Sequence, residues 1–354
     1  MKLAYETTGL QLDASGVARY VRGLRDELHA RADLELRELE QPLGRPRGRL
    51  ARGLTRELVW FPVGLGRRAR AGGADILHCP GQVAPPRDPG LPLVVTIFDV
   101  MALDHAEWFT RANVAHARLV WPRILRHADT VIVAAQFTLD RLLDRFGWLD
   151  AERVRVVPCG VDARFSPGVG ADRARPYLLT VGRLQPRKNL EGAVAAFELV
   201  AGAHPEHELV VVGARGWHDD ALLDRVRASP VADRIVLAGR VTDDELVALY
   251  RGADCFLFPS RYEGFGFPPL EAMACGTPVV CSDASSLPEL VGAGGLLVDA
   301  GDTDAMAAAL DSVLRDGDRA MELRRRGLAR AAAFTWGACA DATVAAYAAT
   351  LRAA

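Results

Sequence analysis

Short apolar runs rich in β-branched residues recur along this chain, and longer stretches with helical spacing separate them. Strand-length runs that alternate with helical stretches are typical of βαβ units, which build parallel sheets. The cycle ends in a stretch rich in proline, glycine and charge at residues 165–176 and then starts again. The sequence therefore predicts an α/β protein with two successive parallel sheets and a boundary near residue 170. The predicted strands lie at residues 76–79, 93–98, 130–134, 154–157, 177–181, 208–212, 234–238, 255–258 and 278–281.

The length of the chain agrees with two domains. A chain of 354 residues is too long for one ordinary hydrophobic core and suits two α/β domains of middling size. The last segment, residues 316–354, is rich in alanine and arginine, with a helical spacing that breaks at residues 334–337. This pattern predicts two terminal helices with a bend between them.

Bulk composition narrows the classes of partner. The formal net charge of −2 provides no general attraction to nucleic acid. Glu6 interrupts the N-terminus before a signal-peptide core can form, and no run approaches the roughly 20 apolar residues that span a bilayer. The six cysteines are scattered without metal-binding spacing, as expected of free thiols in a reducing compartment. We expect a soluble cytoplasmic protein, attached at most to the inner face of the plasma membrane.

One segment departs from this balance of charge. Residues 43–70 carry eight arginines against a single acid, Glu57, with Trp60 and Phe61 between them. A basic stretch with aromatic wedges can lie on an anionic lipid surface. The alternative interpretation is a solvated, arginine-rich loop and helix, and the sequence leaves both open.

The most informative segment is residues 258–276. A predicted strand ends at Phe258, a glycine-containing loop follows, and Pro268 and Pro269 suit the first positions of a helix, where a missing N–H is harmless. Backbone N–H groups at the start of such a helix favour a bound phosphate, although a glycine-rich loop by itself is more often a tight turn. The residues that we expect to face the phosphate are Gly264, Phe265, Gly266 and Phe267.

Two carboxylates accompany this loop. Glu263 precedes the predicted helix, and Glu271 lies eight residues later, in its predicted first turn. Both are predicted to face the same crevice, where one can bind sugar hydroxyls and the other a ribose. With this spacing, the segment resembles the E-x7-E signature of glycosyltransferase family 4, the retaining transferases with the GT-B fold.

The resemblance covers nearly the whole chain and implies two Rossmann-like domains that face a cleft. It implies an N-terminal acceptor-side domain at residues 1–168 and a C-terminal nucleotide-sugar-binding domain at residues 174–333. Residues 334–354 resemble the crossing helix by which GT-B chains return to the first domain. Residues 157–162, Val-Pro-Cys-Gly-Val-Asp, resemble the junction between the two domains.

The second domain carries a match to the diphosphate site of the family. Residues 180–190 resemble the strand and loop in which an arginine and a lysine hold the donor diphosphate, which implies that role for Arg183 and Lys188. Gly182 would let the backbone turn after the strand. Salt bridges at the surface are the alternative role for these two cations.

The remaining donor contacts follow from the same resemblance. Arg240 and Val241 lie where the family places the nucleotide base against the backbone. Glu263 would hold the donor sugar together with backbone N–H groups, and Glu271 would bind the ribose hydroxyls. Catalysis with retention would then depend on positioning, and on the charge that the two cations place against the leaving group.

The first domain matches the family less closely. The stretch around Gly16 resembles a glycine loop of the family that would let the backbone approach the donor, although the family usually has a pair of glycines there. Residues 96–101 resemble a Thr-Ile-His-Asp-Leu stretch of mannosyl- and rhamnosyltransferase-like members, whose histidine lies beside the reacting sugar. Phe98 replaces that histidine, so Asp99, His105 or backbone groups would have to compensate. Asp99 is therefore a candidate catalytic residue.

The resemblance thus implies a retaining transferase that moves a hexose from a nucleoside-diphosphate sugar to a glycan or lipid-linked acceptor in cell-envelope polysaccharide synthesis. A GDP-mannose-like donor is favoured, with UDP- and dTDP-sugars as alternatives. No resident cofactor is expected, and no metal, because the aspartate pairs at residues 219–220 and 243–244 fall near predicted helix starts. Two rival interpretations stay open: a GT-B sugar-nucleotide epimerase, and a non-catalytic nucleotide-sugar-binding partner of a transferase.

Overall fold

The chain divides into two compact units. The first unit comprises Met1–Gly160 together with Thr335–Ala354, and the second comprises Val161–Phe334. The structure, a computed structural model, describes residues 1–11, 16–41, 55–216 and 220–353.

The first unit is built on a parallel sheet. Within the described residues it has six strands in the order β2-β1-β3-β4-β5-β6, and every neighbouring pair is parallel. The strands are β1 (Lys2–Glu6), β2 (Glu35–Leu39), β3 (Ile76–Cys79), β4 (Leu93–Ile97), β5 (Thr130–Val133) and β6 (Val154–Val156). The α-helices are α1 (Gly16–His29), α2 (Leu65–Ala71), α3 (Met101–Asp104), α4 (Arg111–His127) and α5 (Gln136–Arg145). Short 3-10 helices lie at Thr8–Gln11, Ala106–Trp108 and Ala151–Arg153, and a π-helix lies at Arg56–Gly64.

Burial explains why the sequence predicts β3, β4 and β5 and misses β2, whereas β1 is missed although four of its five residues are buried. β3, β4 and β5 are buried at every residue, as central strands with both faces covered should be, and their apolar runs predict them correctly. β2 is an edge strand with the sequence Glu-Leu-Arg-Glu-Leu and is mostly exposed. Charged side chains protect such an edge from pairing with another chain, and they also hide the strand from a search for apolar runs.

The second unit repeats this plan. In the part of the chain that the structure describes, its sheet has six parallel strands in the order β12-β11-β10-β7-β8-β9. The strands are β7 (Tyr177–Val181), β8 (Glu208–Val212), β9 (Ile235–Gly239), β10 (Cys255–Phe258), β11 (Val279–Ser282) and β12 (Leu296–Val298). The α-helices are α6 (Leu190–Val200), α7 (Asp220–Ala228), α8 (Asp243–Gly252), α9 (Phe267–Ala274), α10 (Leu287–Val291), α11 (Thr303–Arg315) and α12 (Gly317–Ala331). Short 3-10 helices lie at Pro186–Lys188, Ala232–Arg234 and Gly292–Gly294.

The strand order of the second unit contains one reversal. β7, the first strand of the unit, lies at the centre, between β10 and β8. The chain builds outward from β7 to β8 and β9, and then returns to place β10, β11 and β12 on the other side. Open α/β sheets bind ligands beyond the carboxyl ends of the strands where the order reverses. The carboxyl ends of β7 and β10 are therefore the place where this unit is expected to bind a ligand.

Residues 161–168, which the sequence places with the first domain, belong to the second unit. At the end of α8, Arg251 Nε donates a hydrogen bond to the carbonyl of Ser166 at 2.7 Å. The amide of Ala171 donates to the carbonyl of Ala248 at 2.8 Å. These bonds attach the segment to α8.

The C-terminal helix (Trp336–Ala353) returns to the first unit. The Tyr347 hydroxyl and His78 Nδ1 are 2.6 Å apart, and the hydroxyls of Thr350 and Thr130 are 2.7 Å apart. The Trp336 ring fills the space beside Gly23, where any Cβ would lie 2.2 Å from the ring. These contacts confirm the predicted α/β fold with a terminal helix that packs on the first of two Rossmann-like sheets.

His78 lies at the centre of a buried polar chain in the first unit. Its Nε2 is 2.9 Å from Thr96 Oγ1, which in turn is 3.2 Å from the Tyr20 hydroxyl. Both ring nitrogens therefore face hydroxyl groups. Burial lowers the pKa of His78 to about 3, because an imidazolium would lose its hydration there. The ring is consequently neutral at physiological pH.

Of the basic stretch at residues 43–70, the structure describes residues 55–70. Trp60 and Phe61 are 4% and 2% exposed and belong to the core of the first unit. Of the two interpretations left open for this stretch, the one in which Trp60 and Phe61 form aromatic wedges is therefore wrong. Val59 and Val63 face solvent instead. Among the described helices, none combines the length and the apolar composition that crossing a bilayer requires.

We predict that His78 makes the stability of the first unit depend on pH. In the unfolded chain the imidazole has its ordinary pKa near 6.5 and gains a proton on acidification, whereas the buried ring gains none until about pH 3. Stability is therefore full above about pH 6.5 and decreases as the pH falls. Between pH 7 and pH 5, the free energy of unfolding in urea should decrease by about 2 kcal/mol more in the parent protein than in a His78→Gln variant.

The control for this measurement is His127→Gln at the exposed end of α4, which should leave the pH dependence as it is in the parent. Parallel pH profiles for the parent and His78→Gln would show that the buried imidazole has no such effect.

Candidate functional site

The loops that follow β7 and β10 bring two of the predicted donor-site residues, Lys188 and Glu263, together. Gly182 and Arg183 follow β7, and the short helix Pro186–Lys188 comes after them. Glu263 follows β10 in the loop that leads into α9. Because β7 and β10 are paired at the centre of the sheet, these loops meet at the point where the strand order reverses.

Glu263 is the centre of a buried cluster. Its Oε1 accepts hydrogen bonds from Lys188 Nζ at 2.5 Å, from Arg187 Nη1 at 3.1 Å and from Ser260 Oγ at 2.6 Å. Lys188 also lies over the Phe258 ring, 4.9 Å from its centroid. One carboxylate thus meets two cations, which leaves an excess of positive charge at the carboxyl ends of the two strands.

Burial and pairing act on the pKa values of this cluster in opposite directions. Burial alone would raise the pKa of Glu263, but the charges of Lys188 and Arg187 and the hydrogen bonds from Lys188 and Ser260 lower it to about 2. Burial lowers the pKa of Lys188 to about 8, against the attraction of Glu263. At neutral pH, Glu263 is a carboxylate and Lys188 a cation. Glu263 can therefore accept hydrogen bonds but cannot donate a proton.

Serine side chains hold the backbone around Glu263. Ser285 Oγ accepts a hydrogen bond from the Glu263 amide at 2.8 Å. Ser286 Oγ is 2.9 Å from the Glu263 carbonyl and 3.0 Å from the Phe265 carbonyl, and it can donate to either. Ser282 Oγ, at the end of β11, donates to the carbonyl of Ser260 at 2.5 Å. The loop after β10 is thus fixed by residues that follow its neighbour, β11.

The loop that was predicted to face a phosphate is buried. Gly264, Phe265, Gly266 and Phe267 are all buried, and α9 begins at Phe267 with a proline in its first positions. Gly266 has φ 105°, and a Cβ at this position would lie 2.7 Å from Leu287 Cδ2. Both the backbone conformation and the packing therefore require glycine here.

Glu271 lies one turn deeper in α9 than predicted. The helix begins at Phe267, which places Glu271 in the second turn rather than the first. The residue is 1% exposed, and its Oε2 accepts a hydrogen bond from the Tyr250 hydroxyl at 3.1 Å. Its carboxylate is thus held by a residue of α8.

The other predicted donor residues lie at the surface of the second unit. Arg183 is exposed, directly after the carboxyl end of β7. Arg240 is exposed and Val241 is partly buried, between the end of β9 and the start of α8. All three follow the carboxyl ends of strands in the same sheet.

Two predicted site residues, Gly16 and Asp99, belong to the first unit. Gly16 is exposed at the start of α1, and residues 12–15 before it lie outside the described part of the chain. Asp99 follows β4, and its Oδ1 accepts a hydrogen bond from the Met101 amide at 3.0 Å. Phe98 is 6% exposed and packs edge-on against Tyr20.

His105, which could compensate for Phe98, is partly exposed. Its side chain is 35% exposed, its ring is stacked on that of Trp108 at 4.0 Å, and its Nδ1 is 3.2 Å from Glu107 Oε1. A polar ring is thus present near Asp99 in the sequence, but it lies at the surface and packs on a tryptophan.

Sequence reasoning missed three residues of this site. In the sequence, nothing distinguishes Arg187 from the rest of the loop around Lys188. Its contact with Glu263 forms only because the loop after β10 is adjacent in the fold. Ser260 lies three residues before Glu263, a short spacing that could have drawn attention to it. Tyr250 is 21 residues from Glu271, and no local pattern marks it.

Known proteins resemble this chain over both of its units. The sequence model of Glycosyltransferase Family 4 matches residues 14–165, and that of Glycosyl transferases group 1 matches residues 163–330. The O-antigen chain mannosyltransferase B of Escherichia coli is 33% identical over 265 residues, which cover 72% of this chain and 69% of that enzyme. This chain belongs to glycosyltransferase family 4.

Solved structures show the same fold. The sucrose-phosphate synthase of Thermosynechococcus elongatus superposes on all of this family 4 chain with a TM-score of 0.81 at 24% identity, and all of that chain is covered. HepE of Anabaena, solved in complex with UDP and glucose, has a TM-score of 0.76 at 17% identity and covers 99% of this chain and 100% of its own. Other curated relatives are longer, and the match spans 54% and 64% of their length.

We predict that Ser260→Ala destabilises the second unit out of proportion to the atom removed. The hydroxyl bonds the buried carboxylate of Glu263, and loss of a hydrogen bond to a charged group should lower the free energy of unfolding by about 1.5–3 kcal/mol. Urea unfolding measures the difference.

Ser312→Ala is the matched control, because that hydroxyl donates to a neutral group, the carbonyl of Ala309 in its own helix, and its loss should change stability by about 0.5 kcal/mol or less. Equal effects of the two substitutions would mean that Ser260 does not support Glu263.

Proposed function

We propose that this family 4 chain is a retaining hexosyltransferase that uses a nucleoside-diphosphate sugar. The observation that carries the proposal is the buried cluster of Glu263, Lys188 and Arg187 at the carboxyl ends of β7 and β10. An excess of positive charge at a strand-order reversal suits an anionic diphosphate. A carboxylate held beside it suits the hydroxyls of the attached sugar.

The mechanism that we propose follows from these charges. Lys188 and Arg183 stabilise the negative charge that builds on the departing nucleoside diphosphate, while Glu263 orients the sugar by accepting its hydroxyl hydrogens. The low pKa of Glu263 keeps it ionised throughout, so the leaving phosphate oxygen takes the proton of the acceptor. No resident cofactor and no metal has a role in this proposal.

The proposed contacts with the nucleoside also lie in the second unit, near the carboxyl ends of its strands. We propose that Glu271 binds the ribose hydroxyls while Tyr250 orients its carboxylate. Arg240 and Val241 then border the base, and the backbone of Gly264, Phe265, Gly266 and Phe267 lies beside the phosphates. The roles of Gly16 and Asp99, near the donor and the reacting sugar, stay predictions that rest on the family resemblance.

The donor and acceptor are proposed from similarity. The likeness to an O-antigen chain mannosyltransferase favours mannose from a GDP-mannose-like donor, with UDP- or dTDP-sugars as alternatives. It also favours a glycan or lipid-linked acceptor in cell-envelope polysaccharide synthesis. We propose that the protein works at the inner face of the plasma membrane, where the exposed Val59 and Val63 and the neighbouring Arg67 and Arg68 would contact anionic lipid.

Of the two rival functions, one retains a specific observation in its favour. An epimerase is not favoured, since both matching family models describe glycosyltransferases. A non-catalytic nucleotide-sugar-binding partner is supported by Phe98, whose buried ring packs against Tyr20 where a polar histidine is common in related transferases. Turnover of the donor separates the two possibilities.

We predict that one nucleotide among GDP, UDP, dTDP and ADP, or its sugar conjugate, raises the melting temperature of the full chain by several degrees. Arg183→Ala should weaken binding of that nucleotide by about 10- to 100-fold, because a charged hydrogen bond to phosphate is lost. Arg175→Ala is the matched control, since Arg175 is also exposed but precedes the amino end of the same strand, β7. If no nucleotide changes the melting temperature, the proposed donor site is wrong.

With the donor identified, we predict that Glu263→Gln lowers kcat/KM for sugar transfer by about 100-fold or more, because the sugar loses its charged acceptor. The same variant should bind the free nucleotide as tightly as the parent or more tightly, since Lys188 and Arg187 lose their competing carboxylate. Transfer is followed by product formation, and the anomeric configuration of the product by NMR. Activity of Glu263→Ala within a few fold of the parent would contradict the proposed role, and an inverted product would contradict retention.

A further inference from the structure

A group of residues of the types that bind metals lies at the amino ends of the strands in the second unit's sheet. His204, Glu206 and His207 form the turn between α6 and β8, where β8 starts. A ring nitrogen of each histidine and a carboxylate oxygen of Glu206 all lie within 4.8 Å of one another. The donor site is at the carboxyl ends of the strands, so this group has no place in the proposed transfer reaction.

The turn that carries these residues is held rigidly. Arg234 Nη1 donates to the carbonyls of His204 at 3.0 Å and His207 at 3.3 Å, and its Nη2 donates to the carbonyl of Ala201 at 3.0 Å. The His207 amide also donates to the carbonyl of His204 at 3.2 Å. The two imidazole rings are perpendicular, with centroids 5.5 Å apart. The ring positions are thus set by the fold before any ligand arrives.

Carboxylates from elsewhere in the unit orient both rings. His204 Nε2 is 2.9 Å from Asp311 Oδ1 in α11, and His207 Nε2 is 3.3 Å from Asp254 Oδ2, just before β10. The other nitrogen of His207, Nδ1, is 2.8 Å from Glu206 Oε1. Metal-binding histidines usually give their second nitrogen to a carboxylate in this way, because it fixes the ring and makes the ligand more basic.

We propose that His204, Glu206 and His207 bind a zinc-type divalent cation. Two imidazoles and a carboxylate are a ligand set that Zn²⁺ accepts, with water in the fourth position. Both histidines are buried, whereas the Glu206 side chain is 54% exposed, so the cation has a path from solvent. Ligands of a tetrahedral zinc lie about 3.4 Å apart, a separation that rotation of the exposed Glu206 side chain can reach.

The proposed site has a structural consequence. A bound cation would fix the two rings that already connect the turn before β8 to α11 through Asp311 and to the start of β10 through Asp254. The carboxylates of Glu206, Asp254 and Asp311 surround the two rings. Arg315 pairs with Asp311 and offsets part of their negative charge, but the negative charge still exceeds the positive charge there. The cation would therefore stabilise the second unit without contact with the donor site.

Titration of the full, metal-free chain with Zn²⁺ tests the proposal. Calorimetry should give one site with a micromolar or lower Kd, and a hundredfold excess over Kd should raise the melting temperature by about 5 °C or more. Co²⁺ should bind with the strong visible absorption of a tetrahedral complex. Glu206→Ala alters only an exposed side chain and should weaken binding at least tenfold, and His207→Gln should abolish it.

His29→Gln is the matched control, because His29 also pairs with a glutamate, Glu38, at 2.8 Å, but that glutamate shares its surface position with Arg25 rather than with a second histidine. Its binding should equal that of the parent. Binding weaker than about 100 µM, or binding that Glu206→Ala leaves unchanged, would overturn the proposal. Donor binding and transfer are measured separately, so failure here would not affect the proposed function.

Discussion

The buried ion pair between Lys188 and Glu263 is the interaction on which the candidate site depends. Removing two charges from water is unfavourable by several kcal/mol per ion, and the pair persists only if geometry and further hydrogen bonds compensate. Arg187, Ser260 and the Phe258 ring provide that compensation here. In the proposed function, a diphosphate would replace the carboxylate as the counter-ion of Lys188, so the buried pair would exchange partners when the donor binds.

This pair constrains the chain around it. Lys188 and Glu263 are 75 residues apart in sequence and meet because β7 and β10 are neighbours at the reversal of strand order. The loop after β10 must then hold Glu263 still, which the hydroxyls of Ser285 and Ser286 after β11 accomplish. Three adjacent strands, β7, β10 and β11, thus supply one site, and the arrangement of the sheet determines its chemistry.

Prediction from sequence succeeds where a local pattern has one physical solution. Continuous apolar runs such as β4 and β8 must be buried strands, and each lies where expected. It fails where burial depends on neighbours. The short edge strands β2 and β12 lack a sufficient apolar run. Trp60 lies in a basic stretch of the kind that can bind a membrane, yet its side chain packs among the hydrophobic core residues of the first unit.

The sequence by itself determined two α/β units, the terminal helix and the Glu263 to Glu271 motif, because these follow from periodicity and from a spacing that one family shares. Only the tertiary structure decided that Glu263 is clamped by Arg187 and Ser260, that Glu271 is held by Tyr250, and that His78 is buried and neutral. Those properties arise from the exclusion of water and from the proximity of groups distant in sequence. Both depend on which strands are neighbours, and no local pattern contains that information.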